Sequence, residues 1–199
     1  CCGGTQKAIS APVGLAIVSV SADAQKAMDN RKTPIASFYA NLQVFKGYAE
    51  KEYLPYTTSA GDVAALDAAL DNILEEGIET VFARHDRIAS AVRGSAQAYG
   101  LELFLDSDRS NTVTAIRIPE EIGALRLQDH LSENYNLLVA TSLAQYADVI
   151  LRIGHMGENA FIDKLIYVLS IIDNGLRDLG FAGNGDLAQL FIDIYKENN

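Results

Sequence analysis

Two residues of this 199-residue sequence carry reactive groups in unusual surroundings, a lysine and an arginine. Lys7 stands in CCGGTQKAISAPVGLAIVSVS, between a glycine turn and a nearly unbroken apolar run. Lysine is among the residues least often buried unless it is paired. A primary amine in a partly desolvated site has a lowered pKa, so its free base can attack a carbonyl and form a Schiff base. Taken singly, the same residue also reads as a surface lysine in a loop. Arg152 ends the apolar run of DVILRIG just before a glycine turn. There it would hold a rigid five-donor fork out of a scaffold, which suits a carboxylate bidentately in a way lysine cannot copy. A buried structural ion pair is the alternative for Arg152.

The elements that would position these groups follow from the apolar spacing. Residues 12–20, PVGLAIVSV, predict a buried strand with a proline at its start. SADAQKAMDNR predicts a short helix with Ser21 as N-cap. A long helical pattern opens at Ser59 or Asp62 and runs to Val92, its apolar positions recurring at three and four residues. Gly77 interrupts it and marks a bend or a domain junction. Beyond Gly100 come four short strands, in LELFL, TVTAIRIP, NLLVAT and DVILRIG, with a helix over ALRLQDHLSENY. A second amphipathic helix runs from Glu158 to Gly180, and the tail from Gly183 can form one more. Strands alternating with helices predict an α/β or α+β fold.

Composition narrows the function classes. With 49% hydrophobic residues the chain can fill a core. A net charge of −10 and the lack of a basic stripe argue against a nucleic-acid partner. The only two cysteines, Cys1 and Cys2, are adjacent, which suits neither a structural bridge nor metal-ligand spacing. A reducing, cytoplasmic setting is therefore expected, with no metal. No run of eighteen apolar residues predicts a membrane span. An apolar strand that starts so abruptly, without an initiator methionine, suggests part of a longer chain. His85, His130, His155 and the pair Glu75 and Glu76 read as structural or solvated, and none is assigned a role.

Several linked motifs resemble those of one family. TQKAISAPVGLAIVSVS resembles the SQK, APPGL and serine segment of class V pyridoxal-phosphate aminotransferases, in particular the serine–pyruvate/alanine–glyoxylate group. YTTSAGDVAALDAALDNILEEGIETVFARH, TVTAIRIPE, VILRIGHMGENA and RDLGF resemble further segments of that family, in order and with similar spacing, from about residue 4 to about residue 182. The resemblance implies an aspartate-aminotransferase-like α/β fold (PLP fold type I). Residues 1–77 would end the large cofactor domain, and 78–199 would form the small domain. It implies pyridoxal 5'-phosphate as cofactor, held covalently by Lys7, which also serves as general acid/base. Gln6 would help hold the cofactor, and Thr57 would hydrogen-bond the phosphate of a neighbouring subunit, making a homodimer. Tyr56 or Tyr53 would supply an aromatic partner, and Arg152 would clamp the substrate α-carboxylate.

The activity so implied is transamination between a small amino acid and a small 2-oxo acid of the glyoxylate or pyruvate type. Pyridoxamine–pyruvate transamination is the near alternative, and a non-catalytic dimerising fragment the distant one. In the family the ring-stacking residue, the aspartate on the pyridine nitrogen and most of the phosphate loop lie upstream of the lysine. The sequence therefore resembles a C-terminal half. It departs from the family at ATSLA, residues 140–144, where a glycine-rich GGGLG stretch is common, and this leaves acceptor preference open. Thr5 stands in place of the usual serine.

Overall fold

A computed structural model describes residues 1–197, and the chain divides into two compact units, Cys1–Asn72 and Ile73–Asn199.

In the first unit, β1 (Cys2–Gly4) and β2 (Ala16–Val18) form an antiparallel pair with Gly3 opposite Ile17. Helix α1 (Ala22–Asp29) follows, and Ser21 Oγ accepts the Ala24 N–H at 3.2 Å, the expected N-cap. The strand expected over 12–20 is shorter than its apolar run and is not buried: Ile17 is 45% exposed and Val13, Val18 and Val20 are also open. The physical reason is the two-stranded sheet, which has no second layer of its own to cover its faces. Among the described residues of this unit only Thr5, Ala11 and Ala69 are buried.

The predicted long helix is two helices, α2 (Ala60–Glu76) and α3 (Ile78–Tyr99). Gly77 separates them with φ 86°, a left-handed conformation that a side chain would resist. The apolar spacing is used unequally. Val81, Ile88 and Val92 of α3 are buried, whereas Val63, Leu70 and Leu74 of α2 are exposed.

The second unit is built on a four-stranded antiparallel sheet in the order β3-β4-β6-β5. Its strands are β3 (Glu102–Leu103), β4 (Val113–Arg117), β5 (Ala140–Thr141) and β6 (Ile150–Gly154). The strand segments expected from sequence are all present, though β3 and β5 are only two residues long. Helices α4 (Ala124–Tyr135), α5 (Ile162–Asp178) and α6 (Leu187–Glu197) complete the layer with α3. Successive strand residues face opposite ways. Leu151 and Ile153 of β6 join Ile116 of β4 in the core with Leu127, Leu165, Leu169, Ile172 and Phe191 from the helices. Arg152, between them in sequence, stands on the other face.

Buried Asp173 of α5 organises one end of this core. Its carboxylate accepts the Tyr99 hydroxyl at 2.6 Å and the Leu187 N–H at 2.9 Å, and it pairs with Arg177. The Leu187 contact satisfies an orphan donor at the start of α6.

Candidate functional site

Lys7 lies in the connection between β1 and β2. That connection is closed at its base by Thr5, which is fully buried: its N–H donates to the Leu15 carbonyl at 3.3 Å, and its hydroxyl reaches the carbonyls of Pro12 and Leu15, each at 3.2 Å. The Ala11 N–H closes a second ring on the Thr5 carbonyl at 3.1 Å. The threonine that replaces the family's serine thus pins both sides of the loop. At its tip Gln6 and Lys7 are exposed, and among the described residues no hydrogen bond or ion pair engages the Lys7 amine. The partly desolvated setting expected for Lys7 is not formed by the residues of this unit, because neither strand beside it is covered.

The second predicted segment, Tyr53 to Thr57, lies just ahead of α2. Tyr56 is half-buried, with its ring 5.3 Å from Tyr39, 5.4 Å from Phe45 and 6.0 Å from Phe38, mostly edge to face. Tyr53 is exposed and makes no ring contact among the described residues. The structure therefore separates two tyrosines that the sequence left equivalent. Thr57 is exposed. The lysine loop and this segment meet indirectly at Gly14, where a Cβ would fall 2.5 Å from Asp62 Oδ2. A side chain at Gly14 would have to displace that carboxylate, which lies in the first turn of α2, five residues beyond Thr57.

Arg152 belongs to the second unit and sits centrally in its sheet. Directly across from it are Ala115 on β4 and Ala140 on β5, so its fork rises between two methyl groups. Its Nε donates to the Thr141 carbonyl at 2.9 Å, leaving the outer guanidinium nitrogens uncommitted. Arg152 is exposed and forms no ion pair among the described residues, which is not the buried ion pair weighed as its alternative. The residues that orient it, Thr141 and its neighbours, fall in the ATSLA segment that departs from the family. Ala144 there has φ 50°, a conformation that glycine accepts more readily.

Sequence reasoning missed the residues that hold the turn after Arg152. Glu76, expected on a solvated helix face, instead grips Arg84: Nε lies 2.6 Å from Oε1 and Nη2 lies 2.8 Å from Oε2. The Arg84 hydrogen bonds hold the Glu76 carboxyl below its ordinary pKa. Arg84 Nη1 then donates to the carbonyls of Gly157 and Ala160 at 3.1 and 3.0 Å. His155 is fully buried, its Nε2 2.8 Å from Thr114 Oγ1, and burial lowers its pKa to about 4. The GIETVFARH and GHMG motifs were visible in sequence, but nothing in their spacing said that they touch.

Among the described residues no helix is long and apolar enough to cross a membrane, and no cluster of histidine, cysteine or acidic residues is arranged to hold a metal.

No family model matches the chain. It is 39% identical over 183 residues to an uncharacterised aminotransferase of Methanocaldococcus jannaschii, covering 91% of this chain and 47% of that protein. It is 41% identical over 156 residues to the L-aspartate–glyoxylate aminotransferase of Paracoccus denitrificans, covering 77% and 39% respectively. The pyridoxamine–pyruvate aminotransferase of Mesorhizobium loti superposes with a TM-score of 0.89 at 28% identity, over 98% of this chain and 51% of that one. The chain therefore spans about half the length, or less, of the relatives it matches. Its sequence and its aspartate-aminotransferase-like fold both belong to the class V aminotransferase family.

Proposed function

We propose that this chain is the C-terminal half of a pyridoxal-phosphate-dependent transaminase, acting between a small amino acid and a small 2-oxo acid of the glyoxylate or pyruvate type. The observation that carries this reading is Lys7, whose amine is uncommitted at the tip of a loop that Thr5 anchors. An amine held in that way fits a cofactor that carries an aldehyde, and the match to aminotransferases over nine-tenths of the chain supports it. When bound, pyridoxal phosphate supplies an electron sink for loss of the amino acid's α-proton.

In this reading Lys7 anchors the cofactor and holds or releases a proton at Nζ. The Gln6 amide and the Thr57 hydroxyl supply hydrogen bonds to the cofactor, Thr57 from the neighbouring subunit of a homodimer. Tyr56 is the aromatic partner, steadied by its ring contacts. Arg152 receives the substrate carboxylate with its free outer nitrogens. The upstream half of the cofactor site belongs to sequence outside this chain. The boundary between large and small domain is assigned to Gly77, and the protein to the cytoplasm. Pyridoxamine–pyruvate transamination is the second reading, favoured by the superposition on an enzyme of that name.

The test is borohydride reduction of the natural protein with pyridoxal phosphate, followed by its visible spectrum and mapping of the modified peptide. A stable adduct on Lys7 is the expected result. An adduct confined to other lysines, or none at all, overturns the reading.

A further inference from the structure

The second unit contains a cavity of about 210 Å³ on which two arginines converge, Arg93 of α3 and Arg109 of the loop between β3 and β4. Neither guanidinium has a carboxylate at ion-pair distance among the described residues. Their contacts are to neutral oxygens instead. Arg93 Nη2 donates to the Ser110 carbonyl at 2.7 Å and to Asn111 Oδ1 at 3.1 Å, and Arg109 donates to the carbonyls of Leu105 and Asp106 at 2.8 and 2.7 Å. Arg93 Nε is buried with no partner at all. Burial and the nearby charge of Arg109 both act against the charge on Arg93. Asp86 offsets this in part from the side of Asn111, whose amide it accepts at 2.9 Å. Asp108 also lines the cavity, its carboxylate occupied by the Ser107 hydroxyl at 2.8 Å. Among the residues that line the cavity, two guanidiniums face the single carboxylate of Asp108, with Asp86 outside its wall.

Its remaining walls are mostly apolar, from Leu103, Leu105 and Val113. Paired arginines short of an acidic partner beside an aliphatic wall match an anion with an apolar body. The volume lies below the roughly 300–1,000 Å³ of sites for drug-sized ligands. We infer that this cavity binds a small aliphatic monocarboxylate, with its head group on Arg93 and Arg109 and its tail against Leu103, Leu105 and Val113. None of these residues is among those proposed to act on the cofactor or substrate.

Calorimetric titration of the protein with 4-methylpentanoate, with the neutral 4-methylpentanamide and inorganic phosphate as controls, tests the inference. Saturable binding of the carboxylate is expected, with the amide failing to saturate and phosphate binding more weakly. Arg109→Gln should weaken the carboxylate at least tenfold. Because Arg109 also holds its own loop, Leu105→Asp serves as a second variant: it places a negative charge at the exposed rim and should weaken binding to a similar degree. Absence of saturation in the wild type, or wild-type affinity retained in both variants, overturns the site. Phosphate binding as tight as the carboxylate overturns the role given to the aliphatic wall.

Discussion

His85 of α3 accepts the backbone N–H of Gly157 through Nε2 at 2.9 Å, tying together residues 72 positions apart in the chain. Its other ring nitrogen lies 2.7 Å from the Val81 carbonyl, so the network places the ring proton on Nδ1. Together with Arg84 on the same helix, it fixes the turn that follows the strand of Arg152. Removing the ring by His85→Ala leaves a buried N–H without an acceptor. The expected loss is about 1–3 kcal/mol of unfolding free energy, read from the urea midpoint. An unchanged midpoint would remove the strap from the account.

His155 predicts a pH dependence. Burial sets its folded pKa at about 4, below the ordinary value of 6.5, and the charge of Arg93 nearby adds to the effect. Its stabilising contribution is therefore whole above pH 6.5 and is lost as pH falls towards 4, since the unfolded chain takes up the proton first. Stability should drop by about 2–3 kcal/mol between pH 7 and 4.5. His155→Gln should flatten that segment of the profile. A wild-type profile flat between pH 6.5 and 4.5 would contradict the prediction.

Asp173 is 4% exposed and serves Tyr99, Arg177 and the N-terminus of α6 at once. Burial alone would raise its pKa, but the Arg177, Tyr99 and Leu187 hydrogen bonds bring it below the ordinary value. Asp173→Asn removes the charge that all three partners face. A loss of about 3 kcal/mol is expected in chemical unfolding, together with faster amide exchange in α6. Exchange in α6 that matches the wild type would show that the cap is dispensable.

Ala144 holds a left-handed φ of 50° in the segment beside Arg152. Glycine relieves that strain, partly offset by its greater freedom in the unfolded chain. Ala144→Gly should therefore stabilise by about 0.5–1 kcal/mol. Destabilisation would mean that the backbone there is not strained.

For the proposed transaminase, Arg152→Lys keeps the charge and discards the fork. The expected outcome is an amino-acid KM raised about tenfold or more, with the Lys7 adduct still formed. An unchanged KM would remove Arg152 from the substrate site.

What was legible in the sequence was mostly local. Ser21 announced a helix start because an N-cap hydroxyl reaches only two or three residues ahead. Gly77 announced a break because its backbone conformation is an intrinsic preference. The apolar spacing of residues 161–176 predicted α5, and linked motifs identified the family. Exposure was less legible. An apolar run shows that a strand has faces to bury, but residues 12–20 carry no sign of whether a second layer lies over them, and in this chain Ile17 stays open. The same limit applies to Lys7, whose type and setting suggest an amine for chemistry while its surroundings depend on packing. Only the tertiary structure brought Glu76, Arg84 and His85 to the turn at Gly157, set Arg152 between two alanines, and chose Tyr56 over Tyr53 as the packed ring. Those relationships join residues far apart in the chain, and closing such distances is work that cooperative packing does and local preference cannot.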